Sequence, residues 1–322
     1  MTKRRKRERV VSAPAAQAAA VVQVEEPPEP PRCAACGNAE IHPLFETTDR
    51  LCRRTSKPFR IVACGQCGIM RLDPWPSAEE ARAFAKPPAW PTGRTLADRL
   101  ERAYRRMLLS DEARFVERVF RRSGVDGPLL DLSQDAEPLR RVLAGRGIRV
   151  LAGTPDDAPA APETCATVTM LDTLDRLADP GAALETARAC LHREGRLIVA
   201  LANASCWQFL MFGENWSGLD VPRRLVHLRA RDIDLLLDCC GFEVLCHKHF
   251  TWGRNPADFA SSLAPALHPA IRRARGTAVG GAGMLAGNLL YMLAVGIAVP
   301  FTLIESACRA GSTILVEARR KW

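Results

Sequence analysis

Four cysteines fall in two pairs, "CAACG" at Cys33 and Cys36 and "CGQCG" at Cys64 and Cys67. A C-x-x-C turn brings two thiolates to one point, and two such turns supply the four soft ligands that a tetrahedral zinc takes. The glycine after each pair, Gly37 and Gly68, permits the tight backbone of a knuckle. Four sulfurs fill the coordination sphere, so the pattern points to a structural zinc and not a catalytic one. A redox dithiol pair is the competing reading. His42 and Cys52 lie between the pairs as alternative ligands of poorer fit. The other cysteines of the twelve are scattered through apolar segments, as expected of small buried groups in a reducing compartment.

Two further stretches carry reactive groups. In "LLDLSQDAEPLRR", Leu129 to Arg141, an apolar strand ending in Asp131 runs into a helix start. Such a junction is where α/β proteins hold ligands against helix amides. This turn has no glycine and carries Ser133, Asp135 and Glu137. Side chains there occupy ligand space, and added carboxylates repel a ligand carboxylate by about 1–4 kcal/mol while attracting a cation. In "NWSGLDVPRRLVHL" the titratable candidate is His227, a general base or an orienting group for an acceptor hydroxyl. Its apolar neighbours Leu225 and Leu228 suit a packed histidine as well. His247 and His249 alternate around Lys248 with no third metal ligand in view and read as surface residues.

These groups must be positioned by an alternation of strands and helices that begins at Gly127. "PLLDL", "IRVLAG", "ATVTML", "RLIVAL", "FEVLCHKHF" and, far downstream, "TILVEAR" read as strands. "AEPLRRVLAGRG", "DPGAALETARACLHREG" and "RDIDLLLDCCG" read as helices. The second has Asp179 as N-cap, Pro180 at its first position and Gly195 beyond its end. This alternation implies a parallel sheet covered on both faces. Only twelve residues, "TPDDAPAAPETC", separate the second strand from the third. A further helix–strand crossover does not fit there, so one edge strand is expected to be missing.

Charge and hydropathy set the surroundings. Of the formal +9, a net +5 lies in the run Lys3 to Arg9, and the rest of the chain mixes both signs. That distribution makes no basic groove, and nucleic acid is disfavoured as a partner. The run and the Ala/Pro/Glu-rich stretch after it read as a disordered tail over 1–31. A zinc ribbon is expected over 32–76, a helical linker over 77–126, an α/β domain over 127–271 and 311–322, and an apolar helical insertion over 272–310. Within the insertion, 276–304 holds twenty-nine residues without a charge, long enough to reach across a bilayer. A single crossing would carry "TILVEAR" to the far side, so a hairpin or re-entrant dip broken at Gly296 and Pro300 is expected, at a membrane or against a protein surface.

The order of elements and three sets of residues carry a resemblance. These are the two knuckles trailed by "CGIMRLDPWPSAEE", the block "LDTLDRLADPGAALETARACLHREGRLIVALAN", and the block "CWQFLMFGENWSGLDVPRRLVHLRARDIDLLLDCCGFEV". Together they resemble the class I S-adenosylmethionine-dependent methyltransferases, in the branch with an N-terminal zinc ribbon, from about Cys33 to Arg320. The resemblance implies an α/β fold with a Rossmann-like methyltransferase sheet in which "TILVEAR" is a reversed strand beside "FEVLCHKHF". It implies S-adenosylmethionine as cofactor. Asp131 matches the acid that ends the first strand, while Ser133, Asp135 and Glu137 stand where the family has glycines against the cofactor's methionine moiety. Thr154 stands where an acid holds the ribose hydroxyls, with Asp156 reaching that place only if the loop shifts. A Glu-His pair common after the fourth strand is here Asp175-Arg176. Of two histidines in the last block His227 is kept and the other is Arg224.

Two functions fit these residues. One is methyl transfer by in-line displacement at the sulfonium, to a small or lipid-linked acceptor, with activity weakened or lost. The other is a non-catalytic, zinc-stapled scaffold or binding module whose cofactor pocket has closed. Either way the chain is expected in the cytoplasm, peripheral to or dipping into the membrane through 276–304.

Overall fold

"FRIVAC" is apolar but for Arg60, and the strand it forms buries Phe59 and Ile61 on one face and Val62 and Cys64 on the other, leaving Arg60 exposed. The computed structural model describes residues 32–33, 36–84, 95–134, 136–277 and 282–321. The tail over 1–31 and Asp135 lie outside the described residues. β1 (Ile41–Thr47), β2 (Phe59–Cys64) and β3 (Met70–Asp73) form an antiparallel meander that carries the cysteine knuckles. A short helix α1 (Ala78–Phe84) follows. Then comes α2 (Leu96–Ser123), opened by a capping box in which Thr95 Oγ1 accepts from the Asp98 amide at 3.2 Å and Asp98 accepts from the Thr95 amide at 3.0 Å.

The α/β domain runs β4 (Leu129–Asp131), α3 (Glu137–Gly145), β5 (Val150–Ala152), β6 (Cys165–Leu171), α4 (Pro180–Cys190), β7 (Leu191–Ala202) and α5 (Trp207–Phe212). It continues through β8 (Val226–His227), α6 (Ala230–Cys239), β9 (Phe242–Lys248), α7 (Asn255–Leu263), α8 (Pro269–Ala274), α9 (Ala282–Ala307) and β10 (Thr313–Arg320). The large sheet has the order β5-β4-β6-β7-β10-β9, with β10 antiparallel to both its neighbours and the first four strands parallel. This is the Rossmann-like methyltransferase sheet with its reversed strand in the expected place. Beyond β5 no further strand is present among the described residues. The C-terminal half of α2 packs Ala113, Phe115, Val116 and Val119 on one face, with Leu139 and Leu143 of α3. Leu184 and Ala187 of α4 and Ile233 and Leu237 of α6 join the core on Leu130, Val168 and Val199.

Two expectations are corrected. The helix after Asp179 ends at Cys190, not near Gly195, because Leu191 is already extended and pairs with Cys165. The register then slips across His192 to Gly195 before Arg196 meets Thr167. The apolar insertion is no hairpin. α9 is one 26-residue helix through Gly296 and Pro300, roughly 39 Å long. Pro300 removes the amide that would bond the Gly296 carbonyl, and both residues sit on the exposed side of the helix. Val295 and Ala298 face inward, and Phe301 meets Phe259 of α7 at 5.0 Å. The helix therefore lies along the domain and returns the chain to β10.

The ribbon is tied into the domain. β8 pairs with β3, so that the small sheet takes its fourth strand from the connection between β7 and β9 of the large one. Cys33, Cys64 and Ile69 share an apolar cluster with Val226, Leu228 and Ile233. Arg223 supplies the ionic link, giving Asp49 two bonds of 2.5 and 3.0 Å and Asp220 one of 2.8 Å. With both Asp49 oxygens buried, Arg223→Ala strands a charge in the interior, and a loss of about 3–5 kcal/mol is expected. Urea unfolding of the two proteins measures it.

Candidate functional site

The four cysteine sulfurs lie within 4.8 Å of one another. Cys33 Sγ is 3.4 Å from Cys67 Sγ and Cys36 Sγ 3.5 Å from Cys64 Sγ. Zinc–sulfur bonds of about 2.3 Å set tetrahedral edges near 3.8 Å, so the arrangement fits that ion. Each knuckle closes by an amide from its glycine to the first cysteine, Gly37 to Cys33 O and Gly68 to Cys64 O, both at 2.9 Å. Those glycines sit at φ +71° and +72°, which a side chain would strain. Cys52 lies elsewhere, against Leu51 and Ile271, and His42 is exposed beside Glu40.

At the turn after β4, Asp131 is buried and fully engaged. Its Oδ2 accepts from Arg140 Nε at 2.6 Å, and its Oδ1 accepts from Thr169 Oγ1 at 2.8 Å and the Ser133 amide at 3.1 Å. Arg140 projects from α3 and also donates to the Ser133 carbonyl at 3.0 Å. Ser133 Oγ accepts the Leu171 amide at 2.8 Å, and the Gln134 amide donates to Thr173 Oγ1 at 3.3 Å. The turn is thereby stitched to the end of β6. Glu137 faces outward and pairs with Arg141.

The loop after β5 closes the neighbouring space. Thr154 and Asp156 are both exposed, and Thr154 Oγ1 accepts the Asp157 amide at 3.1 Å in a tight turn. The returning chain presses so close that a Cβ on Gly153 would stand 2.6 Å from Pro159 Cδ and 3.1 Å from Leu132 Cδ2. Ala158 and Ala160 pack on the same apolar cluster as Leu132. The twelve-residue link thus covers the place left by the missing crossover.

A cavity of about 230 Å³ opens instead past the ends of β6 and β7 and the start of β10, the edge of an α/β sheet where ligands sit. Asp172, Arg176, Arg224, Arg254, Asp258 and His268 line it, with Leu51 and Cys52 of the ribbon on one side. Arg254 pairs with Asp172 and Glu112, Arg224 with Asp175 and Asp172, and Arg176 with Asp220 at 3.2 Å. Burial resists ionisation of Asp172, but Arg254, Arg224 and Arg176 outweigh it and hold that carboxyl well below the usual range. Burial lifts the Asp258 carboxyl, against a hydrogen bond from Ser312 and the pull of Arg224 and Arg254. Asp172 and Asp220 both sit at positive φ, +52° and +39°, a conformation that costs energy outside glycine and gathers at functional sites.

His227 is not part of this lining. It is buried in β8, and burial, helped by Arg224 and opposed by Asp220, pushes its pKa down to about 3. The imidazole is neutral at physiological pH. Because the unfolded chain takes a proton near 6.5, stability is unaffected above that pH and falls as pH drops from 6.5 towards 3. The loss is roughly 3–5 kcal/mol at the low end. His227→Gln is expected to flatten that limb in denaturant midpoints measured across the range. His247 is held by Asp234, Nε2 to Oδ1 at 2.7 Å, and its ring stacks on His249 at 5.9 Å.

The family described as Methyltransferase domain matches residues 113–247, from within α2 to β9. That stretch is similar to the methyltransferase family. No curated protein matches the chain. Among solved structures, the domain is similar to a SAM-dependent methyltransferase from Thermotoga maritima, at 15% identity over 70% of this chain and 96% of that one, with a TM-score of 0.38. It is also similar to the CcbJ methyltransferase from Streptomyces caelestis, at 15% identity over 77% of this chain and all of that one, with a TM-score of 0.40.

Within the matched stretch, residues that depart from the pattern of the methyltransferases it resembles meet one another. Asp175, where the pattern has Glu, pairs with Arg224, where it has His, and Arg176 reaches Asp220 beside them. Sequence reasoning singled out the changes but not their contact. It missed Arg254, Asp258 and His268 altogether, which come from α7 and the start of α8. The one local signal there is the pair of helix starts, Asn255-Pro256 and His268-Pro269, where His268 Nδ1 accepts the amides of Ala270 and Ile271.

Proposed function

We propose that the chain is a membrane-peripheral binding module built on a methyltransferase domain, with its S-adenosylmethionine seat closed and a polar ligand site in the cavity around Asp172. The observation that carries this reading is the bridge made by Arg140 across the turn, from the Asp131 carboxylate to the Ser133 carbonyl. In the arrangement of the family it resembles, that guanidinium would stand against the cofactor's methionine moiety, and the loop from Thr154 to Ala160 would close the adenosine side. The four cysteines would hold a structural zinc that fixes the ribbon as one wall of the cavity. Each arginine of the cavity is answered by a carboxylate, which favours a small zwitterionic or polar ligand, free or lipid-linked, over a bare anion. The uncharged outer face of α9, with Leu293 and Ile297 61% and 71% exposed, supports contact with a membrane surface.

Calorimetry with S-adenosylmethionine and S-adenosylhomocysteine on the full, zinc-loaded chain tests the proposal. Micromolar binding lost in Asp131→Ala would restore the methyltransferase reading, in which the cavity takes the methyl acceptor.

A further inference from the structure

The N-terminal half of α2 sorts its charges by sign. Its two acids, Asp98 and Glu101, are buried, and Glu101 bridges Arg105 and Arg273 at 2.9 Å. Its exposed side carries Arg99 and Arg106 together with Leu96, Leu100 and Met107, of which Leu96 and Met107 are 63% and 62% exposed. Spacings of 96, 100, 103 and 107 put the apolar groups in one stripe, flanked by arginines alone. This half-helix packs beside α9, with Tyr104 in the same cluster as Tyr291 and Val295. Two neighbouring helices thus leave outer faces that carry apolar stripes and, on α2, two arginines, with no exposed acid between them among the described residues.

We infer that the N-terminal half of α2 docks with α9 on a lipid bilayer and selects anionic headgroups through Arg99 and Arg106. This deepens the membrane-surface reading above and rests on it. Arginine stems can lie along the apolar boundary while the guanidiniums reach headgroup phosphates, which suits an amphipathic helix lying in the interface. A second copy of the chain answers the surface less well. In a two-fold contact each copy presents the same patch, so the arginines would meet apolar groups and one another with no carboxylate to pair them. Anionic lipid supplies both the apolar phase and the counter-charge.

The test is co-sedimentation of the full chain with vesicles of phosphatidylcholine, alone or mixed with phosphatidylglycerol. Lys3, Arg4, Arg5, Lys6, Arg7 and Arg9 are replaced by Gln throughout so that the basic tail contributes nothing. The parent is expected to partition more strongly onto the mixed vesicles. Arg99→Gln with Arg106→Gln should weaken that binding roughly 30-fold, two charges at about 1 kcal/mol each, and leave binding to neutral vesicles unchanged. Leu293→Glu with Ile297→Glu should weaken both. Equal binding of the parent to both vesicles, or an unchanged arginine variant, overturns the inference and leaves the membrane reading standing. Absence of binding to either vesicle removes the membrane reading and the inference together. A dimer in light scattering that Leu293→Glu dissociates assigns the face to a second copy.

Discussion

Cys64→Ser is expected to empty the metal site and unfold the ribbon. Metal analysis of the wild type should find one zinc per chain, and the variant should retain less than about a tenth of it, since three sulfurs leave the ion open to water and chelators. Structural zinc sites in small modules are worth about 10–16 kcal/mol of binding that appears as folding energy. The loss here should spread, because Cys64 shares its cluster with Val226, Leu228 and Ile233 of the larger domain. Arg229, which donates to the Cys67 carbonyl at 3.3 Å while pairing with Asp232, would lose its seat at the knuckle. Destabilisation of more than about 5 kcal/mol in denaturant unfolding is therefore expected. A variant that keeps its metal, or a wild type whose four thiols titrate as disulfides after denaturation, would return the cysteines to redox chemistry.

The sheet was legible in the sequence because its evidence is local. Twelve residues between Gly153 and Ala166 leave no room for a crossover, and that count alone removed the edge strand. The place of β10 came from the resemblance, which implies a reversed strand beside "FEVLCHKHF", and β10 does pair antiparallel with both β7 and β9. The four clustered cysteines were legible because each pair is its own turn. What was not legible depends on partners far along the chain. Arg140 reads as one arginine among several on a helix face until α3 sets it over Asp131. β8 is two residues long and has strand character only because β3 lies beside it. Gly296 and Pro300 read as breaks, yet α9 runs through them, since packing on α7 offsets the single hydrogen bond that Pro300 removes. The cavity collects residues from seven segments, and no periodicity in any one of them announces it.

S-adenosylmethionine is expected to give no saturable heat with the full chain below millimolar concentration. The amides at the turn and at the end of β6 are already spent. Ser133 N goes to Asp131, Gln134 N to Thr173, and Leu171 N to Ser133 Oγ. Seating the cofactor requires breaking these bonds, moving Arg140 off a buried carboxylate, and lifting Ala158 and Pro159 from Leu132 and Gly153. Neutral bonds cost about 0.5–1.5 kcal/mol each and the charged one about 1.5–3. Four kcal/mol in all, an order-of-magnitude figure of roughly that size, moves a micromolar ligand to the millimolar range. Asp131→Ala should consequently change stability, by stranding Arg140, and leave ligand binding where it was. The double variant Arg140→Ala with Ser133→Gly separates the two obstructions. It opens the methionine side but leaves the loop from Thr154 to Ala160 in place, so it too should bind no better than weakly. If that variant acquires micromolar affinity, the side chains of the turn are the bar and the loop is not, and the cofactor seat is held shut by Arg140 and Ser133 together.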